Sequence, residues 1–484
     1  MSLVYNAVLL VGWLGVVRAL APVADPDEPW SWRWDPAAAV LSGALYGLLG
    51  TLWLAPFHIN GWPLTASDFF QYCDSVGAVL HDQRAMFWEQ RSIVAAQLPG
   101  FFARRYGVIG GLAVAAGVSL GLIGSALYLW GRAVYGRFGG VATVVLGGAV
   151  APLVLLSRTV TFYPESVAAS AWCAATAAVA VRFRTGWALF AAGVGSGLVL
   201  LTDVRGLYWA LAALGVAGLA AVVAPWRWIP VRLGLLVAPV VASWWIGHAI
   251  TAVDAPGLSN QTEAFVRDVI MKVNAPQPQL PEVRPEDDFL WGRSPPQEVP
   301  QALAAAAAYA SLIPAEASQF GEAKYFRMNH VTPWLGVAIG AALLSLVGVA
   351  RRPWSALALV GPLVPYLVSL PTAALVLTHP RYLAVAFGGL PVLLGTAAAV
   401  AGTRTGKAIP ERFRFPGAVA LLGLLVLGVL PSWLSPVASW RIPQTAEQYP
   451  QDFQRGENSD GRTDRRCRQL VEDDAAAGRG WGGF

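Results

Sequence analysis

The sequence predicts an all-α polytopic membrane protein with about twelve transmembrane helices. Three observations lead there. Of 484 residues, 56% are hydrophobic and only 13% charged, and the mean hydropathy is +0.51. A soluble domain is about 45–50% apolar and about 25% charged. The apolar residues run in blocks close to the roughly 20 residues that span a bilayer, and the basic residues recur in alternate short loops. A soluble enzyme and a disordered chain are both excluded. The 50 glycines and 21 tryptophans suit membrane helices and their interfaces.

The first span, 2–21, ends in Ala19-Leu20-Ala21, which resembles a signal-peptide cleavage site. It lacks a basic leader, and Arg18 sits at the wrong end, so it is predicted to be a helix that stays. The spans that follow are 38–57, 107–131, 139–157, 164–182, 187–203, 206–225 and 231–252. A second group comprises 332–350, 354–377, 381–402 and 415–434. Four stretches, 22–37, 58–106, 253–331 and 435–484, are too polar to cross.

One set of alternate loops holds Arg132, Arg137, Arg182, Arg184, Arg227, Arg232, Arg351, Arg352, Arg404, Lys407, Arg412 and Arg414. With Arg18 and Arg33 it carries 14 basic against 5 acidic residues, net +9, and the other side is net −4. The basic side is predicted to be cytoplasmic, with both termini outside. Only three of the 34 basic residues are lysine, a bias of GC-rich bacterial genomes. The expected location is a bacterial inner or plasma membrane, with the active site on its extracytoplasmic face. Cys73, Cys173 and Cys467 lie far apart without metal-ligand spacing, and an odd count predicts no disulfide framework.

All five histidines map to the predicted outer face or the helix ends below it. The first outer loop reads from His58 to Asp74 and contains Thr65, Ser67, Asp68 and Tyr72. Thr65 or Ser67 is placed to cap a helix with Asp68 in its first turn. Apolar residues at 69, 72, 76, 79 and 80 give that helix one greasy face. A second piece from Met86 to Phe102 is predicted to lie in the headgroup plane. Glu165 follows Tyr163-Pro164 at a helix start, and Asp203 and Arg205 share a turn. His379 and Arg381 head a late span, where free N–H groups and a guanidinium both favour phosphate oxygens. Each acid also has a plain structural reading as a helix-dipole or local ion-pair partner.

These features resemble the GT-C superfamily of membrane glycosyltransferases that use polyprenyl-phosphate-linked sugars, in its protein O-mannosyltransferase and aminoarabinose-transferase branch. Three parts carry the resemblance. One is Ser67-Asp68-Phe-Phe-Gln-Tyr72 followed by juxtamembrane helices ending Leu98-Pro99-Gly100. The second is the order of spans over 38–252, which matches the superfamily's seven-helix module. The third is His379-Pro-Arg381-Tyr382-Leu. The chain departs from the pattern in its extra first helix and in Phe69-Phe70, where relatives often carry a second acid.

The resemblance implies a GT-C-like bundle with outer-face juxtamembrane helices. It divides the chain into an N-terminal helix and loop (1–37), a catalytic module (38–252), an external region (253–331), C-terminal helices (332–434) and an external tail (435–484). It implies transfer of a sugar from a polyprenyl-phosphate donor to the hydroxyl of a glycan, lipid or protein acceptor, with inversion. Asp68 is the implied base, Glu165 a helper, and Arg381 the phosphate ligand. His379, Arg205, Asp203, Tyr72 and Tyr163 complete the substrate-binding set. No cofactor is certain, and a divalent metal stays open. A polyprenyl phosphate leaves without protonation, so one carboxylate base and cations for the leaving phosphate suffice. The lipid bilayer is the other expected partner. The competing readings are an oligosaccharide ligase or polymerase of similar bundle style, a lipid-linked sugar transporter or flippase, and a scaffold. No internal repeat or mid-span charge favours a transporter. No basic stripe with interleaved aromatics favours nucleic acid.

Overall fold

The computed structural model describes residues 27–48, 58–59, 62–63, 69–80, 93–147, 163–202, 206–251, 332–376, 387–405, 469–470, 472–474 and 476–478. Its helices are α1 (Trp34–Leu48), α2 (Phe69–Leu80), α3 (Ile93–Gly147), α4 (Tyr163–Phe183), α5 (Gly186–Thr202), α6 (Gly206–Val222), α7 (Ile229–Thr251), α8 (Thr332–Val349), α9 (Pro353–Val376) and α10 (Leu390–Thr405). Three described helices are long and apolar enough to cross a membrane: Gly110–Gly147, Pro164–Phe183 and Trp226–Ile246. The predicted spans 2–21 and 415–434 lie outside the described residues. One short exception to the all-α expectation pairs His58 with Pro63 and Ile59 with Trp62 in a two-residue ladder. The residues between them in sequence are Asn60-Gly61, the pair that tight hairpins favour.

The long α3 is three legs. Gly107 and Gly136 both take φ +74°, in the left-handed region that a Cβ disfavours. The first leg folds back at Gly107, so that a Cβ at Gly111 would lie 2.5 Å from the Pro99 carbonyl oxygen. The second and third legs form a helical hairpin about Gly136. This hairpin carries Arg132 and Arg137, as the predicted loop between spans 107–131 and 139–157 requires.

At the centre stands α4, packed against α3, α5, α6 and α9. Small side chains all round it, from Ala168 to Ala180, let these helices approach closely. The outer helix α7 instead exposes Val237, Val241, Trp244 and Trp245, the surface that lipid tails would meet.

The arginine-bearing turns converge at one end of the bundle. There residues 27–35 lie across them. Arg132 donates from Nε to Asp35 Oδ1 at 2.9 Å and from Nη2 to Asp35 Oδ2 at 3.2 Å. Arg137 pairs with Glu28, and Asp27 with Arg182 at 3.0 Å and Arg352 at 3.6 Å. Burial alone would raise the Asp35 carboxyl, but Arg132, the Ser31 N–H and Arg137 outweigh it and hold it below the usual carboxylate range. Arg184, at φ +53°, ends α4 by donating its N–H to the Ala180 carbonyl at 2.9 Å. Its guanidinium lies over Trp354, 4.5 Å from the ring centre, and its carbonyl accepts from Arg232. Trp30 and Trp32 cover the turn, each 4.8 Å from Trp187.

The opposite end gathers the other helix termini. Tyr46, near the end of α1, donates its hydroxyl to the Val144 carbonyl near the end of α3. A Cβ at Gly147 would lie 3.2 Å from Pro391 at the start of α10. Cys73 on α2 is disulfide-bonded, contrary to the expectation of no disulfide, and Cys173 is free and buried. The C-terminal residues 469–478, expected to be part of a partly disordered tail, include two groups seated on α2 and α3.

Candidate functional site

Glu165 is the candidate whose side chain the structure describes. Pro164 opens the first turn of α4, where a missing N–H costs nothing, and Glu165 follows it. Its side chain points inward: the residue is 6% exposed, and neither Oε1 nor Oε2 meets a hydrogen-bond partner on another described residue. Buried polar groups are normally paired, and one that is not calls for an explanation. A dipole partner at a solvated helix start would need no burial, so that plainer reading does not account for Glu165.

Beneath it α4 turns a polar and aromatic seam toward its neighbours. Ser170 Oγ donates to the Val167 carbonyl at 2.9 Å, and Cys173 Sγ to the Trp209 carbonyl at 3.5 Å. Tyr366 of α9 stacks on Trp130 at 5.7 Å and meets Trp209 edge-on at 5.4 Å. Trp130 is held in turn by Nε1, which donates to the Ala358 carbonyl at 3.0 Å. Sequence reasoning missed Tyr366, Trp130 and Trp209, because a lone aromatic in an apolar span carries no local signal.

The short 3-10 turn Phe387–Gly389 rests on this seam and touches α4 and α9. A Cβ at Gly388 would lie 2.6 Å from Tyr366 Cε1, so the approach depends on glycine there. This turn follows the segment that carries His379 and Arg381. The helix after it begins at Leu390, later than the predicted 381.

The remaining candidates lie outside what the structure describes. Asp68, Asp203, Arg205, His379 and Arg381 fall outside the described residues, and Tyr72 and Tyr163 are described in their backbone only. Their flanking elements are informative all the same. Thr202 and Gly206, on either side of Asp203 and Arg205, close the α5–α6 turn at the end of the bundle where α4 begins. Phe69, next to Asp68, starts α2, and Val376 and Phe387 are the nearest described residues on either side of the His379–Arg381 segment. Of the candidate residues, the described ones place Glu165 at the start of α4, and the ion-paired arginines lie at the other end of that helix. Among the described residues no group of three His, Cys, Asp or Glu side chains is close enough to hold a metal ion.

Solved structures of two proteins align with most of the chain at low identity. The archaeal oligosaccharyltransferase AglB of Archaeoglobus fulgidus, in complex with an inhibitory peptide and a dolichol-phosphate, aligns at TM-score 0.49 and 13% identity. That alignment covers 85% of this chain and 56% of the other, so the chain spans about half the length of that enzyme. ArnT of Cupriavidus metallidurans, bound to undecaprenyl phosphate, aligns at TM-score 0.34 and 15% identity over 78% of each chain. No protein-family model and no curated protein matches.

Proposed function

We propose that this protein is a membrane glycosyltransferase of the GT-C kind. It moves a sugar from a polyprenyl-phosphate donor to an acceptor hydroxyl, at the end of the bundle where α4 begins. The observation that carries the proposal is Glu165, a buried acidic side chain at the start of α4 with no partner on another described residue. Unpaired buried carboxylates are concentrated at sites where a ligand completes the bonding.

In this reading Asp68 takes the proton from the acceptor hydroxyl as it attacks the anomeric carbon. Glu165 accepts a hydrogen bond from acceptor or sugar and orients it. Arg381 holds the leaving phosphate, and His379, Arg205 and Asp203 assist in binding the donor. Tyr72 and Tyr163 line the sugar. A single displacement of this kind inverts the anomeric centre. Two observations support an extracytoplasmic face for the site. Disulfides such as that of Cys73 persist in oxidising compartments. The arginine-rich turns at the far end match the cytoplasmic side of the positive-inside rule.

Transfer by the purified protein tests the proposal, using polyprenyl-phosphate sugars and a panel of hydroxyl acceptors. Asp68→Asn is expected to abolish turnover while the protein still purifies as a folded species. Full turnover in Asp68→Asn would remove the base and favour an arginine- and histidine-based ligase. No transfer with any donor would remove the reading itself.

A further inference from the structure

We propose that the C-terminal segment is a covalent strap, closed by a Cys73–Cys467 disulfide, that ties α2 to the break in α3. Cys73 is disulfide-bonded and fully buried on α2. Cys173 is free inside the bundle, and Cys467 is the one other cysteine in the sequence. Cys467 itself lies outside the described residues, but the residues that follow it are seated where this pairing requires. Leu470 packs on α2, and a Cβ built at Gly77 would lie 2.3 Å from its Cδ1. Gly77 stands one helical turn after Cys73, so the disulfide and the leucine contact share a face of α2.

Asp474 makes the second anchor. Its Oδ2 accepts a hydrogen bond from the Val108 N–H at 2.7 Å, and the residue is 7% exposed. Val108 follows the break at Gly107, so its N–H is an orphan donor of the helix leg that starts there. A carboxylate is the group such a terminus favours. Gln469 Nε2 donates to Asp473 Oδ1 at 2.9 Å, an i, i+4 contact within the segment. Leu470 and Asp474 stand four residues apart in helical backbone, so both anchors share one face of the strap. Spacing on the strap and spacing on α2 thus agree on a single docking face.

Closing the bond converts two thiols to one disulfide. Their two protons and two electrons pass to the disulfide of a thiol oxidoreductase, which leaves as its dithiol. The linkage stands apart from the proposed transfer reaction. Its consequence for catalysis rests on that reading: α2 starts one residue after Asp68, so the strap fixes the helix leading away from the proposed base.

The test reads the bond directly. A specific protease site is inserted after Gly456 in the full-length protein, and the purified, cleaved protein is run on denaturing gels. The fragment carrying Cys467 is expected to stay with the main chain without reductant and to separate with it. The same separation without reductant is expected of Cys73→Ser. Cys173→Ser is expected to keep the linkage. A fragment that leaves the unreduced wild-type chain overturns the proposal, as does alkylation of Cys73 in the unreduced, denatured protein. Neither readout requires transfer activity, so a failed glycosyltransferase assay leaves this result standing.

Discussion

Asp35 and Arg132 form a two-point ion pair that is 0% exposed on both sides, with Nε and Nη2 of the arginine reaching the two carboxylate oxygens. Tyr128 adds its hydroxyl to Asp35 Oδ1 at 3.2 Å, and Arg132 Nη2 also reaches the Glu28 and Pro29 carbonyls. The pair ties the start of α1 to the turn of the α3 hairpin. Removing one member leaves the other charged and buried, a loss of about 3–5 kcal/mol. Arg132→Ala is therefore expected to lower the thermal midpoint of the detergent-solubilised protein well below that of Arg33→Ala, whose exposed side chain lies just before α1 at the same end of the bundle. Equal midpoints for the two variants would show that the buried pair does not hold this end together.

The same pair sets an acid limit. Asp35 has its folded carboxyl pKa held below the usual carboxylate range, chiefly against the effect of burial, by Arg132, the Ser31 N–H and Arg137. A depressed folded pKa contributes stability that is present above the unfolded value, about 3.9. It is lost as pH falls through the lower folded value. The stability advantage of wild type over Asp35→Asn is expected to be constant at neutral pH and to shrink as pH falls below about 4. An advantage that grows on acidification would reverse the assignment.

Much of the framework was legible in the sequence, and its pairings were not. Hydropathy located α4 through α9 to within a few residues, because a bilayer imposes both length and composition on a span. The alternation of arginines likewise predicted which turns meet at one end. Nothing local announced that Asp35 meets Arg132, that Cys73 is disulfide-bonded, or that Asp474 reaches Val108. Those partners are brought together by the fold from distant parts of the chain. Of the candidate site, Glu165 was singled out from its position after Pro164, whereas its burial is a property of the helices around α4. Tyr366 and Gly388 gave no signal because an aromatic and a glycine are ordinary members of an apolar span.

Glu165 offers a separation of stability from activity. Burying an acid without a partner costs free energy, either as desolvated charge or as the loss of that charge, and an amide of the same shape carries no charge to bury. Glu165→Gln is expected to leave the thermal midpoint unchanged or raised. Transfer should fall on the order of a hundredfold, the low end of what a positioned acid–base group contributes. A purely structural Glu165 would lose stability and activity together, so a lowered midpoint with activity lost only in proportion to unfolded protein would rule out the helper role.

Donor binding gives the last expectation. A lipid-phosphate sugar lays its prenyl tail along apolar helix surface and presents its phosphate at headgroup level, where a cation must meet it. The segment carrying Arg381 is bracketed by Val376 of α9 and the Phe387–Gly389 turn, and that turn rests on Tyr366 beside α4. Arginine offers phosphate a planar fork, and lysine offers the same charge at a single point. Arg381→Lys should therefore already weaken donor binding, and Arg381→Ala should weaken it more. A charge-assisted hydrogen bond is worth roughly 1.5–3 kcal/mol, on the order of ten- to a hundredfold in affinity. Titration of both variants with a polyprenyl phosphate measures this without turnover, so it is independent of whether Asp68 is the base. Unchanged affinity in Arg381→Ala would move the phosphate to Arg205, between α5 and α6 in the sequence, and the same titration of Arg205→Ala would then show the loss.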